Sequence, residues 1–111
     1  MKNSLHEKIE VIESGYEFLL AYAAQGRESD TGLEVRDTLA NMFAAAADIA
    51  ELLPDGDFTG VVRDDARKAR AAISLVLKQQ GISSELVDNL NVSIHLRALL
   101  TDLFLLSETS R

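Results

Sequence analysis

The chain has 111 residues, of which 47% are hydrophobic, and a formal net charge of −7. It contains no cysteine, which excludes disulfides, thiolate metal sites and cysteine nucleophiles. The length suits one domain, residues 1–111, and the acidic balance argues against a nucleic-acid partner, because phosphate contacts require clustered lysine and arginine side chains.

Four amphipathic stretches alternate with three turn-rich segments, and each stretch has the length of a helix. The first predicted helix opens with a capping box formed by Ser4 and Glu7, and it stops at Gly26. Its main apolar seam follows the 4-3-4 spacing of one helix face. That seam comprises Leu5, Ile9, Ile12, Tyr16, Leu19 and Ala23.

The second predicted helix opens with a capping box formed by Thr31 and Glu34. It ends before Pro54, because the residue that precedes a proline is displaced from the α-helical conformation. A turn follows, and Asp57 or Thr59 is the predicted cap of the third helix. The seams of both helices repeat the same 4-3-4 spacing, which indicates amphipathic helices with one face in a core.

The third helix is predicted to stop at Gly81, and Ser83 or Ser84 to cap a fourth helix. The fourth helix is predicted to run from about Glu85 to Ser107. Four helices of similar length joined by short loops predict an all-α, antiparallel up-down four-helix bundle. Two other architectures fit the pattern: a helical hairpin pair that dimerises to complete its core, and an open three-helix core with a protruding first or last helix.

The first and last helices carry more apolar surface than one core requires. A second apolar stripe on the first helix includes Val11, Phe18 and Tyr22, and the fourth helix is apolar around most of its circumference, including Leu99 and Leu103. A helix of this kind needs neighbours on more than one side. We therefore predict that these five residues contact a second copy in a homodimer, or another protein.

A basic row lies along the third helix. Its members are Arg63, Arg67, Arg70 and Lys78. The row predicts a patch for an anion or an acidic partner, because guanidinium groups bind carboxylate and phosphate through paired hydrogen bonds. The alternative is an ordinary solvated face, in which neighbouring aspartates pair with the same side chains.

His95 in the fourth helix introduces a second hypothesis. Histidine phosphotransfer domains are four-helix bundles of this size, and their exposed histidine is followed by lysine three positions on and glycine four positions on. This chain has Ala98 and Leu99 at those positions, so only His95 and its helical setting match. A phosphotransfer domain that uses His95 is one alternative function, and a carrier of a small apolar ligand is another.

Motifs for catalysis and for metal or nucleotide binding are missing from the sequence. There is no Glu-x-x-His pair for a di-iron site and no lysine-containing phosphate loop. We therefore predict no cofactor, no metal and no enzymatic activity. The absence of a signal-peptide pattern, and the interruption of the apolar run Leu96–Leu106 by Arg97 and Asp102, predict a cytoplasmic protein without a membrane partner.

These inferences combine into one functional expectation. The chain is predicted to be a non-catalytic helical interaction module, acting as an adaptor, regulatory subunit or small assembly factor through its apolar helix faces. A small-molecule partner is not expected.

Overall fold

Five α-helices and no strand make up residues 2–109, the part of the chain that the computed structural model describes; side chains are described from residue 4. The helices are α1 Lys2–Ala23, α2 Glu34–Leu52, α3 Asp57–Leu77, α4 Ser84–Val92 and α5 Ile94–Thr109. The all-α prediction is confirmed. The prediction of one unbroken fourth helix is wrong, because the chain bends between α4 and α5.

Helix α2 packs against both α1 and α3, whereas α4 packs mainly against α1 and α5 mainly against α3. The apolar seam predicted for the second helix is buried at every position. Its residues are Val35, Leu39, Met42, Ala46, Ile49 and Leu53. Residues from all five helices join these side chains in one hydrophobic core. Removal of this apolar surface from water is the main favourable contribution to folding.

The bend between α4 and α5 is centred on Ser93, whose backbone is extended with φ −64° and ψ 145°. The Ser93 hydroxyl accepts a hydrogen bond from the Leu96 backbone N–H at 3.3 Å, as the cap of a new helix does. The two helix axes differ by 55°. Within the described residues no single helix has the length and apolar composition to cross a membrane, and α4 and α5 reach those limits only when taken together.

Only one of the predicted helix caps forms within the described residues. The Ser83 hydroxyl accepts a hydrogen bond from the Leu86 backbone N–H at 3.0 Å. The two capping boxes are not formed, because α1 already runs through Ser4 and α2 follows Leu33 without a side-chain cap. Helix α3 likewise follows Gly56 without a side-chain cap. Tertiary packing of the apolar seams therefore contributes more to these helix starts than local capping does.

Buried hydrogen bonds join the end of α1 to the start of α4. Gly26 has a φ of 67°, the left-handed conformation expected at a helix stop. The Tyr22 hydroxyl donates to the Ile82 carbonyl at 2.7 Å, and the Ser84 hydroxyl donates to the Tyr22 carbonyl at 2.7 Å. Arg27 and Ser84 form two further hydrogen bonds, of 2.8 and 2.9 Å. We call this arrangement the Tyr22 clamp.

Arg36 connects α2 to the end of α3. The Asp30 carboxylate accepts hydrogen bonds from the Arg36 guanidinium at 2.7 and 3.3 Å, and from the Ile82 backbone N–H at 2.8 Å. These hydrogen bonds, that of Arg36 first, lower the pKa of Asp30 to about 2. Arg36 also donates to the carbonyl of Leu77, the last residue of α3, and to the carbonyls of Gln79 and Gln80 after it. Helix α3 ends there, before the predicted stop at Gly81.

Candidate functional site

Three of the five residues predicted to form a contact surface lie in the core. Tyr22 is 3% exposed, and Leu99 and Leu103 are fully buried. Their predicted placement on the surface is therefore wrong. Leu99 and Leu103 are four residues apart and belong to the inner seam of α5, and the Tyr22 hydroxyl is held by the loop before α4. Val11 and Phe18 are half-buried and remain accessible from outside.

Val11 and Phe18 line a cleft of about 420 Å³ between α1 and α2, which we call the α1–α2 groove. Gly15 lies between them, and a Cβ at that position would be 2.5 Å from the Met42 Cγ and Sδ atoms. Glycine therefore permits the close approach of α1 and α2 at this level. Polar side chains complete the lining: Glu7, Glu10, Ser14, Thr38 and Asn41. The groove thus has a small apolar centre within a polar and partly acidic rim.

A more apolar surface extends across α3 and α5. Among the described residues, ten large hydrophobic side chains are at least 38% exposed, and six of these belong to α3 and α5. Phe104 lies on a different side of α5, and the other five are Phe58, Val61 and Leu75 of α3 with Ile94 and Leu105 of α5. Val61 and Leu75 belong to one helical row on α3, and Ile94 and Leu105 to one on α5. We call this surface the α3–α5 face.

Two carboxyl groups meet within the α3–α5 face. Asp65, from the α3 row, lies beside Asp102 of α5, which is 7% exposed and whose Oδ2 atom has no hydrogen-bond partner among the described residues. Burial first, and then the neighbouring carboxyl group of Asp65 and its charge, raise the pKa of Asp102 to about 7. On the same flank of α3, Asp64 and Lys68 form an ion pair at 3.4 Å. Below about pH 7 Asp102 is mainly protonated, so the two carboxyl groups add one negative charge to the centre of the face rather than two.

The basic row predicted along α3 does not project freely into solvent. Arg63 is half-buried, and it donates hydrogen bonds of 2.9 Å to the carbonyls of Ala50 and Leu53. It therefore satisfies carbonyl groups at the C-terminus of α2, as basic side chains near helix ends often do. Lys78 follows the last residue of α3 and is exposed. The four basic residues consequently do not form one continuous patch.

Three of the four residues of the predicted basic row line a single cleft. Arg63, Arg67 and Arg70 border a space of about 190 Å³ between α2 and α3, which we call the arginine cleft. Its other lining residues are small, with one carboxylate among them: Ala46, Ala47, Ala50, Ala66 and Glu51. The i, i+4, i+7 spacing of the arginines indicated in the sequence that they share one side of α3. The sequence did not indicate that residues of α2 complete the lining of the cleft, because that depends on tertiary packing.

The histidines are both exposed. His95 occupies the second position of α5, beside the bend, and exposure is the condition that the phosphotransfer hypothesis sets. The residues three and four positions on are Ala98 and Leu99, and Leu99 is buried. His6 lies 3.5 Å from the Glu10 carboxylate on α1. Within the described residues, no group of three or more metal-ligating side chains is present.

Comparisons of the chain with protein-family models, with curated proteins and with solved structures found no match. The candidate sites are therefore defined by their geometry alone. The α3–α5 face has the most exposed apolar side chains, and the arginine cleft has the most concentrated positive charge.

Proposed function

We propose that this chain is a non-catalytic helical interaction module, which pairs with a second copy of itself through the α3–α5 face. The observation that carries the proposal is the presence of five exposed large hydrophobic residues on that face, in addition to a complete buried core. Leu75 is 65% exposed and Ile94 is 74% exposed. Burial of such a patch against a like surface removes it from water, which favours association.

Charge supports a second copy as the occupant of this face. The chain carries a net charge of −7, so many surfaces of two copies repel each other. On the α3–α5 face, Asp64 is paired with Lys68, and the raised pKa of Asp102 keeps that carboxyl group mainly protonated below about pH 7. Two such faces can therefore meet around a twofold axis, the commonest symmetry of homodimers, with less repulsion than fully ionised faces would produce.

The proposed pairing also relates to the predicted bundle. We propose that the fold is a variant of the antiparallel up-down four-helix bundle, in which α4 and α5 share the fourth position. The packing of α4 on α1 and of α5 on α3 supports this view. Two copies of the α3–α5 pair would then form a four-helix interface, a packing arrangement that is common in proteins.

Two matched variants test the proposed interface. Ile94→Glu places a charge on the α3–α5 face, and Leu33→Glu places the same charge on a leucine that is 71% exposed in the turn before α2. We expect light scattering at about 100 µM to give twice 12.1 kDa for the wild type and for Leu33→Glu. We expect Ile94→Glu to be a monomer of 12.1 kDa.

Two outcomes would count against this proposal. Equal masses for the two variants would mean that the α3–α5 face is not the interface. A monomeric wild type would reject a second copy as the occupant. A foreign protein bound by such a monomer, and lost on Ile94→Glu, would then assign the face to a different partner.

A further inference from the structure

The arginine cleft brings three cationic side chains together on one flank of α3. Arg63, Arg67 and Arg70 have the spacing i, i+4, i+7, so their Cα atoms span about 10 Å along the helix. The alanines of α2 and α3 that line the cleft leave an open space of about 190 Å³ beside these arginines. A small ligand can therefore reach the guanidinium groups close to the helix surfaces.

Two of the three arginines are held in place by contacts with α2. Arg63 donates hydrogen bonds to the carbonyls of Ala50 and Leu53. The guanidinium carbon of Arg70 lies 5.3 Å from the centroid of the Phe43 ring, in a cation–π contact. Because these side chains are already ordered, less conformational entropy is lost when a ligand binds to them.

The third arginine provides donors that the fold does not use. Arg67 is exposed and forms no hydrogen bond or ion pair with another described residue. Its guanidinium offers a planar set of N–H donors that matches two oxygens of a phosphate or carboxylate group. With three arginines and Glu51 in its lining, the cleft carries a local charge of the sign opposite to that of the whole chain.

We infer that the arginine cleft binds a phosphate-type oxoanion, either free phosphate or a small phosphate monoester. A tetrahedral dianion presents several oxygens, so it can accept hydrogen bonds from more than one guanidinium at once. A single carboxylate has fewer acceptors and half the charge. The cleft lies on the flank of α3 opposite to Val61 and Leu75, so the inference does not depend on pairing through the α3–α5 face.

The test is a titration of the full chain at constant ionic strength and above neutral pH, in which amide chemical shifts report the binding. The probes are inorganic phosphate, phenyl phosphate and acetate. We expect the two phosphates to give saturable shifts in residues 46–51 and 63–70, and acetate to give small shifts without saturation. Tighter binding of phenyl phosphate would indicate a monoester as the natural ligand, and tighter binding of inorganic phosphate would indicate free phosphate.

Two matched variants decide whether the cleft is the site. Arg67→Gln removes the unpaired guanidinium, and Lys68→Gln removes the adjacent charge, which pairs with Asp64 instead. We expect Arg67→Gln to weaken phosphate binding about tenfold or more, and Lys68→Gln to change it less than twofold. Glu51→Gln should tighten binding, because it removes a negative charge from the cleft.

The inference is overturned if phosphate shifts grow without saturation, as for acetate, or if Arg67→Gln and Lys68→Gln weaken binding equally. Thermal unfolding of each variant serves as the control for folding. Arg67 is exposed, so its replacement is expected to leave the melting temperature close to that of the wild type.

Discussion

Asp102 of α5 lies beside Asp65 of α3, and its Oδ2 atom is buried without a hydrogen-bond partner among the described residues. Burial of Asp102, together with the neighbouring carboxyl group of Asp65 and its charge, raises the pKa of Asp102 from 3.8 to about 7. A pair of neighbouring acids, of which Asp102 is buried, therefore belongs to the surface through which we propose that two copies of the chain associate.

This pair makes folding sensitive to pH in a defined direction. Between pH 3.8 and about 7, the folded chain keeps a proton on Asp102 that the unfolded chain has released. The free energy of unfolding is therefore expected to fall as the pH rises through this window, and to level off above it. The pKa of Asp30 is lowered to about 2, so this group makes the free energy of unfolding rise with pH, and it does so only below its ordinary pKa of 3.8.

Asp102→Asn tests this expectation, because an amide side chain can donate a hydrogen bond and carries no charge at any pH of the series. Above neutral pH we expect it to be more stable than the wild type by about 1–3 kcal/mol, the usual penalty for an inadequately paired buried group. Urea unfolding at a series of pH values measures the effect. The control is Asp64→Asn, which replaces an exposed aspartate of α3 and should leave the pH dependence of the free energy of unfolding as in the wild type. If Asp102→Asn also left this pH dependence unchanged, Asp102 would not be its source.

The Tyr22 clamp is expected to contribute to stability through one hydroxyl group. Tyr22→Phe removes the donor to the Ile82 carbonyl while retaining the buried ring. Loss of one partner of a buried hydrogen bond costs about 1–3 kcal/mol. The control is Tyr16→Phe, since the half-buried Tyr16 donates no hydrogen bond to another described residue. Equal losses in urea unfolding for both variants would show that the clamp adds nothing specific.

Two helical glycines are expected to respond to alanine in opposite directions. At Gly15 the new methyl group meets the buried Met42 side chain at 2.5 Å, so Gly15→Ala should destabilise the fold by about 1–3 kcal/mol. At Gly60 no atom lies within 4 Å of the new methyl group. Gly60→Ala should therefore stabilise α3 by about 0.5–1 kcal/mol, the gain in helix propensity. Thermal unfolding distinguishes the two, and a gain at Gly15 would contradict the close packing of α1 and α2.

The sequence was most informative where one face of a helix is clearly more apolar than the others. On α2, the predicted seam from Val35 to Leu53 is the buried seam, because charged residues occupy the other faces and so define which face is turned inward. On α5 the apolar residues surround the helix, so spacing alone does not define which stripe is inside. Leu99 and Leu103 are buried there, whereas Ile94 and Leu105 are exposed.

Other features depend on contacts between segments that are distant in the sequence. The Asp65–Asp102 pair joins two helices, and its only local signal was an aspartate within an apolar run. The bend at Ser93 had one local signal in the sequence, because serine is a common cap at the start of a helix and Ser93 caps the N–H of Leu96. The apolar pattern, however, continues across the bend. Arg63 was predicted to be solvent-facing, because its carbonyl partners lie on a different helix and the turn after it.

Pairing through the α3–α5 face is the central claim, and the solution mass of the unmodified chain tests it most directly. Sedimentation equilibrium across a concentration series to about 100 µM covers the dissociation constants expected of a modest homodimer. We predict a concentration-dependent shift from 12.1 kDa to twice that mass. A mass of 12.1 kDa at every concentration would contradict the claim.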